Sequence, residues 1–482
     1  TLVSIAPTIA LAGCSTVIGF ASLLANDTPI LREFGWITSV GIAASMFVAV
    51  TFVPACLVLM RVPTTRARAA VAGGLTAALL ARLARFNEQR RFVSLAVGAL
   101  LVLGALAAYP RLSIETNVVN FFKRDDPVRA TIGRVSTEFG GTITIRTIVE
   151  APGPDTILRP EYLREMEAYQ TFLEGFDRVG KTLSIADLIK DMNMAIHEGD
   201  PAFNVLPATL EEAERYLFLY ALSSDPDEFD GLIDAAHGKA TVTARLRQVN
   251  AGNEALGTGE TKRILAAVEQ YLAAHFSPEL RVTPTGRAQD IVRTSDYIVR
   301  GLIRGMLTAV VPIWLLVSLI FRSPAAGLFG IMTTAIGLLL NFGVMGWFGI
   351  PLDIATTLIA SIAIGIGVDD AVHYLLRLRR TMRGGVTDPA RAMTATLAET
   401  GRTIVFTSVT MALGFSIFMV ASFRPVVFFG GLTALSMVTT SVAALLVVPV
   451  LLLLVRPRFL TRGVPALPPG GGSEIDIPPG RP

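Results

Sequence analysis

Apolar positions along this chain do not simply alternate with polar ones; over much of its length they run in unbroken blocks. Eight stretches, 7–25, 34–60, 92–109, 302–321, 325–348, 354–376, 403–422 and 427–455, each hold at least 18 residues with few charges. A helix rises 1.5 Å per residue, so such blocks are long enough for a hydrocarbon core of ~30 Å. The pattern predicts eight membrane-spanning helices.

Between the third and fourth blocks the period changes. Residues 142–149 (TITIRTIV) alternate as a strand, 160–175 have helical spacing, and 178–184 return as a second strand. Residues 239–248 alternate again, 260–275 form an amphipathic helix, and 279–285 close as a strand. This is the split βαβ order of a ferredoxin-like α+β domain. The intervening 186–237 reads as helical and acidic.

Composition sharpens the division. Of 482 residues, 52% are hydrophobic and 17% charged, with a mean hydropathy of +0.55; soluble domains carry ~25% charged residues. Residues 110–298 hold 29 of the 39 acids and 20 of the 42 bases, a net −9, and the remainder sums to +12. An acidic domain is thus inserted into a basic membrane body, and nucleic-acid binding is disfavoured. Cys14 and Cys56 both fall in apolar spans, so the inserted domain has neither a disulfide framework nor a thiolate metal site. It also lacks Ser–His–Asp order, HExxH and a phosphate loop, and His197, His237 and His275 lie far apart. No catalytic residue, metal or cofactor is expected.

Arginine in the short loops sets the orientation. Segment 61–91 holds seven Arg against Glu88, and 377–402 holds six against Asp388 and Glu399. The loops 26–33 and 349–353 are poor in bases, which places the termini in the cytoplasm and 110–298 outside. Arg300 and Arg304 run against this mildly and can snorkel to the interface. The run 69–85 within the Arg-rich linker has the character of a surface helix, and the Gly/Pro-rich 463–482 that of a disordered tail.

An internal repeat underlies the pattern. Shifting the chain by 395 positions superimposes Thr1 on Thr396, Leu2 on Leu397, Thr8 on Thr403, Gly19 on Gly414, Phe20 on Phe415, Gly35 on Gly430 and Pro54 on Pro449. The last two spans therefore have an N-terminal copy. The second copy follows a lone span, a soluble domain and three more spans; the first would once have had the same. The expectation is a longer protein of two parallel repeats, a transporter habit in which sites lie near the repeat interface.

The sharpest chemical signal is in span 354–376, IATTLIASIAIGIGVDDAVHYLL. An ionised carboxylate at mid-membrane costs ~2.5 kcal/mol or more, so Asp369 and Asp370 must face the bundle interior or a wet cavity. Two close carboxyls titrate as a unit, as a proton carrier requires. His373 shares their face by i+3 and i+4 spacing, and Gly365 and Gly367 admit a neighbouring helix. Thr407, Ser408 and Thr410 sit ~4–8 Å to the cytoplasmic side of their own span's midpoint, near the depth of the pair, and are expected to support the relay. Interhelical glue is the plainer alternative for the acids, as is self-bonding to i−4 carbonyls for the hydroxyls.

The string GIGVDDAVHYLLRLRR, the following GRTIVFTSVTMALGF, the tract 322–370 and the duplication together resemble the resistance-nodulation-division superfamily, in its MMPL-type exporter branch. The resemblance implies proton-driven export of lipids or other hydrophobic compounds, porter-like outer domains, and acidic relays in the fourth and tenth spans. Asp369 and Asp370 match the tenth-span positions. Lipid exporters of the branch often have Asp-Tyr where this chain has Asp-Asp, and the drug-pump lysine has no counterpart, since all five lysines lie in 110–298.

The reading is a polytopic α-helical membrane protein, about eight spans of an inferred twelve, with an inserted α+β ferredoxin-like, porter-type extracytoplasmic domain. Its parts are 1–60 (last two spans of a first repeat), 61–91 (basic linker), 92–109 (one span), 110–298 (outer domain), 299–455 (five-span bundle) and 456–482 (tail). The expected function is a proton-driven exporter in a bacterial inner membrane. Expected partners are membrane lipids, a hydrophobic or lipid-like substrate, protons, the N-terminal half of the same protein and, as a further option, a second copy. A sterol-sensing-domain-like sensor and a SecDF-like protein-export accessory are the alternatives.

Overall fold

The computed structural model describes residues 2–59, 75–223, 231–250, 252–384, 386 and 388–461. The linker's first part (61–74) and the expected tail (463–482) lie outside these residues.

Two helices open the chain, α1 (Leu2–Ala21) and α2 (Pro29–Leu59). After the linker come α3 (Leu75–Gln89) and the span α4 (Arg91–Ala108). The inserted domain contains α5 (Pro127–Glu138), β1 (Ile143–Glu150), α6 (Pro160–Glu174), β2 (Val179–Leu183), α7 (Ile185–Ile196), α8 (Leu210–Ser223), β3 (Lys239–Leu246), α9 (Thr258–His275) and β4 (Arg281–Thr285). The bundle follows as α10 (Arg287–Phe321), α11 (Pro324–Phe348), α12 (Ile354–Arg383), α13 (Pro389–Ser416), α14 (Arg424–Val442), α15 (Val448–Val455) and α16 (Arg458–Thr461).

Seven of the expected spans are long and apolar enough to cross a membrane. The eighth, expected at 7–25, coincides with α1 and the 3-10 turn Ser22–Ala25 that follows it directly. A π-turn at Ala443–Val447 links α14 to α15 within the last span.

The sheet order is β2-β3-β1-β4, all antiparallel, as the split βαβ reading requires. Alternation on β1 turns Ile143, Ile145, Thr147 and Val149 inward. They pack beneath Tyr162, Leu163, Met166, Tyr169 and Leu173, which recur at helical spacing on α6. Buried Tyr169 hydrogen-bonds Thr147 Oγ1 at 2.8 Å, and burial pushes its phenol up to about 12. The expected boundary at 298/299 falls inside one helix: α10 begins just after Gly286 (φ 111°) and runs 35 residues from the domain into the bundle. A flexible linker is therefore absent at that junction.

At the same junction, Glu115 N–H donates to the Leu352 carbonyl (3.0 Å) and Leu352 N–H to the Ser113 carbonyl (2.7 Å). Burial raises the Glu115 carboxyl above its ordinary value, although it accepts hydrogen bonds from Asn117 N–H and Thr258 Oγ1, both at 2.8 Å. Arg304 Nη1 donates to both carboxylate oxygens of Asp27, at 2.7 and 2.8 Å, and Arg300 lies over the Tyr297 ring. These two arginines are thus held locally by an acid and an aromatic face.

Candidate functional site

Helix α12 lies at the centre of the bundle, packed against α1, α10, α11, α13 and α14. Its start is fixed by a reciprocal cap: Asp353 Oδ1 accepts from Thr356 N–H and Thr356 Oγ1 from Asp353 N–H, each at 2.7 Å. From Ile359 to Gly365 every residue is buried. The next two turns turn polar, and Asp369, Asp370 and His373 are half-buried.

The two carboxylates have separate partners. Ser15 Oγ of α1 donates to Asp369 Oδ1 at 2.6 Å. Asp370 Oδ2 accepts from Ser441 Oγ of α14 and, at 3.4 Å, from Ser408 Oγ of α13; these two serines also bond each other. A 100° step between adjacent helix residues sends the two acids towards different neighbours. Hydroxyl donors offset part of the cost of a carboxylate at this depth.

Asp369 and Asp370 also line a cavity of about 730 Å³ bounded by α1, α12, α13 and α14. It extends towards the end of the bundle opposite the α+β domain, where Arg377 and Glu399 form an ion pair at its wall. His373 and Thr407 line it as well. Protons, water and small polar groups have room to reach both acids from this side.

Of the hydroxyls expected to support the pair, Ser408 reaches Asp370. Thr407 instead donates to the carbonyls of Thr403 and Ile404 on its own helix, both at 3.0 Å. Thr410 stands two positions, ~200° of rotation, from Ser408; it is exposed and outside the cavity lining. Depth matched the acids at all three positions, and rotation separates them. Gly365 meets Gly19 of α1, where a Cβ on either would press on the other's backbone; Gly367 meets Thr440 of α14 and Thr334 of α11.

Ser15 and Ser441 are contributors that sequence reasoning missed. A signal for Ser15 existed: the 395-residue repeat places it in register with Thr410, a position already singled out for a carboxylate. In the outer domain, His197 stacks on Phe203, His237 contacts Asp155 at 3.2 Å, and His275 stacks on Tyr271. Among the described residues no cluster of His, Cys, Asp and Glu is arranged to hold a metal.

Comparison with known proteins agrees with this architecture. Protein MJ1562 of Methanocaldococcus jannaschii, named a membrane protein, is 24% identical over 390 residues, 78% of this chain and 94% of that protein. The structure of Disp, the hedgehog release protein of the water bear Hypsibius dujardini, matches with a TM-score of 0.63 at 13% identity, covering 95% of this chain and 59% of that one. SecDF in its super-membrane-facing form matches with a TM-score of 0.50 at 15% identity, covering 94% and 49%. This chain thus spans three-fifths and half of those two structures, and the likeness to them is one of fold. Residues 1–94 and 167–464 match the MMPL family. The chain is a multi-pass membrane protein with a transporter-like fold and belongs to the MMPL family.

Proposed function

We propose that this protein is a proton-coupled secondary transporter that exports a hydrophobic or lipid-like substrate, with Asp369 and Asp370 as its proton carriers. The observation that carries the reading is the pair itself: adjacent intramembrane carboxylates, each bonded by a hydroxyl from a different helix and both open to one cavity. A polar site used only as interhelical glue has no need of a 730 Å³ cavity. A lipid sensor that binds without turnover has no need of two acids at a depth where each costs ~2.5 kcal/mol or more. The loop arginines support an orientation with the α+β domain outside. Pairing of Arg304 with Asp27 makes that residue compatible with the outer side.

The test is substrate-dependent acidification or alkalinisation in vesicles containing the protein. Asp369→Asn and Asp370→Asn keep size and hydrogen bonding yet cannot cycle a proton, so each should abolish the pH change without blocking insertion. Undiminished coupled flux in both single variants and the double variant sinks the proposal.

A further inference from the structure

Pro54 and Pro449 occupy the same place in the 395-residue repeat, yet the helices around them differ. In the first copy Pro54 lies inside an unbroken α-helix, α2. In the second the chain opens into the π-turn Ala443–Val447 just before Pro449, and Val448 N–H reaches back five residues to the Ala443 carbonyl. Proline alone therefore does not account for the turn.

What differs is a side chain from another helix. In an α-helix the Leu445 carbonyl would be bonded by the N–H of residue 449, which proline lacks. Asn87 Nδ2 of α3 donates to that carbonyl at 2.9 Å, and Ser94 Oγ of α4 donates to Asn87 Oδ1 at 3.5 Å. Asn87 is buried, whereas Arg82 and Arg85 of the same helix are exposed. Leu80 docks α3 beside it: with Leu445 it covers Gly401 of α13, where an added Cβ would touch both side chains.

The turn matters because of what precedes it. Ser441, which donates to Asp370, lies four residues before Leu445. A π-turn holds one residue more than an α-turn, and one residue is about 100° of rotation. If the turn closed to α while α3 held the far end, Ser441 would swing by about 100° away from Asp370 and Ser408. In the first copy, where the helix is unbroken, the position equivalent to Ser441 is Met46, which has no hydroxyl to aim.

We infer that Asn87 is a positioning residue of the candidate site. By holding the Leu445 carbonyl it keeps the π-turn open, and the open turn aims Ser441 at Asp370. The purpose of this arrangement rests on the relay reading, while the geometry does not.

Beside the bond is a cavity of about 10 Å³ with Asn87, Tyr374 and Pro449 in its wall, at the lower limit for a single water. Leucine is therefore the informative replacement for Asn87, since it fills the site and leaves no room for water to take over the donor's place.

The probe is a disulfide. With Cys14→Ala and Cys56→Ala as background, Ser408→Cys and Ser441→Cys place thiols where the two hydroxyls bond each other. Oxidation of the full chain in lipid nanodiscs should close this disulfide, read as loss of free thiol after denaturation. Asn87→Leu should slow its formation about tenfold, and Asn87→Gln, which keeps the amide, should slow it less. Pro449→Ala gives Leu445 a backbone donor, favours the α-turn and should slow the disulfide even with Asn87 present. Combined with Asn87→Leu it should be no slower than the worse single variant, because both changes act on one turn. In the chain with both serines, the Asp370 part of the carboxyl infrared band should move to higher frequency in Asn87→Leu, as in Ser441→Ala, with the Asp369 part unmoved. A disulfide indifferent to Asn87→Leu, equal slowing by Asn87→Leu and Asn87→Gln, additive losses in the combined variant, or an unmoved Asp370 band overturns the inference. Disulfide closure involves no proton flux, so it decides the inference even where the transport reading fails.

Discussion

Ser15 and Asp369, 354 positions apart in sequence, are joined by a 2.6 Å hydrogen bond that crosses from one copy of the repeat to the other. Helix α12 is thereby held by both copies, since Asp370 takes its hydroxyls from α13 and α14. Hydrogen bonds to charged groups are worth ~1.5–3 kcal/mol, so removing this one should be felt at the site.

Ser15→Ala is expected to lower proton-coupled flux roughly tenfold or more with normal membrane insertion, and Ser15→Thr, which restores the hydroxyl, to recover it. Flux assays in vesicles measure both. Unchanged flux in Ser15→Ala would show that Asp369 needs no donor from α1.

Much of this arrangement was legible beforehand. Unbroken apolar blocks located the spans because a helix in hydrocarbon has no other way to satisfy its backbone. Period-2 runs on β1 and β3 gave the ferredoxin-like order because only one face of each strand is buried. Asp369 and Asp370 stood out because charge at that depth is costly. Rotation about the helix axis was not legible: Ser408 and Thr410 share a depth but face opposite ways, and only packing of α13 on α12 and α14 decides between them. Nor could one chain's apolar pattern reveal that α10 continues unbroken through the domain boundary, since its first turns are amphipathic and its last are lipid-like.

The two glycine positions of the repeat should respond in opposite ways. Gly19→Leu forces a side chain into the Gly365 backbone and is expected to destabilise the α1–α12 contact by ~1–3 kcal/mol. Gly414→Leu meets open space and should leave the stability of the same preparation unchanged. Thermal unfolding of both variants in detergent is the check; equal losses would contradict the packing described.

Glu115 offers a pH test outside the spans. Burial holds its proton more tightly in the folded chain than the ordinary value of 4.5. A carboxyl raised in this way stabilises the fold as pH falls through its folded value, and costs stability at higher pH, where the buried group is charged. Protection of segment 113–117 against hydrogen exchange, taken relative to Glu115→Gln at each pH, should therefore decline as pH rises above 4.5. A constant ratio would mean that Glu115 is not desolvated at the junction.

Orientation follows from accessibility. With Cys14→Ala and Cys56→Ala as background, Glu198→Cys should react from outside intact cells with a membrane-impermeant thiol reagent, and Arg391→Cys should not. The reverse pattern would invert the placement of the α+β domain.

Whether Asp369 and Asp370 take up and release protons is read by infrared difference spectroscopy on vesicles with an imposed pH gradient. A protonated-carboxyl band is expected that rises and falls with the gradient, diminishes in Asp369→Asn and in Asp370→Asn, and vanishes in the double variant. A band that persists unchanged in the double variant, or carboxyls that never change protonation across the gradient, would contradict it.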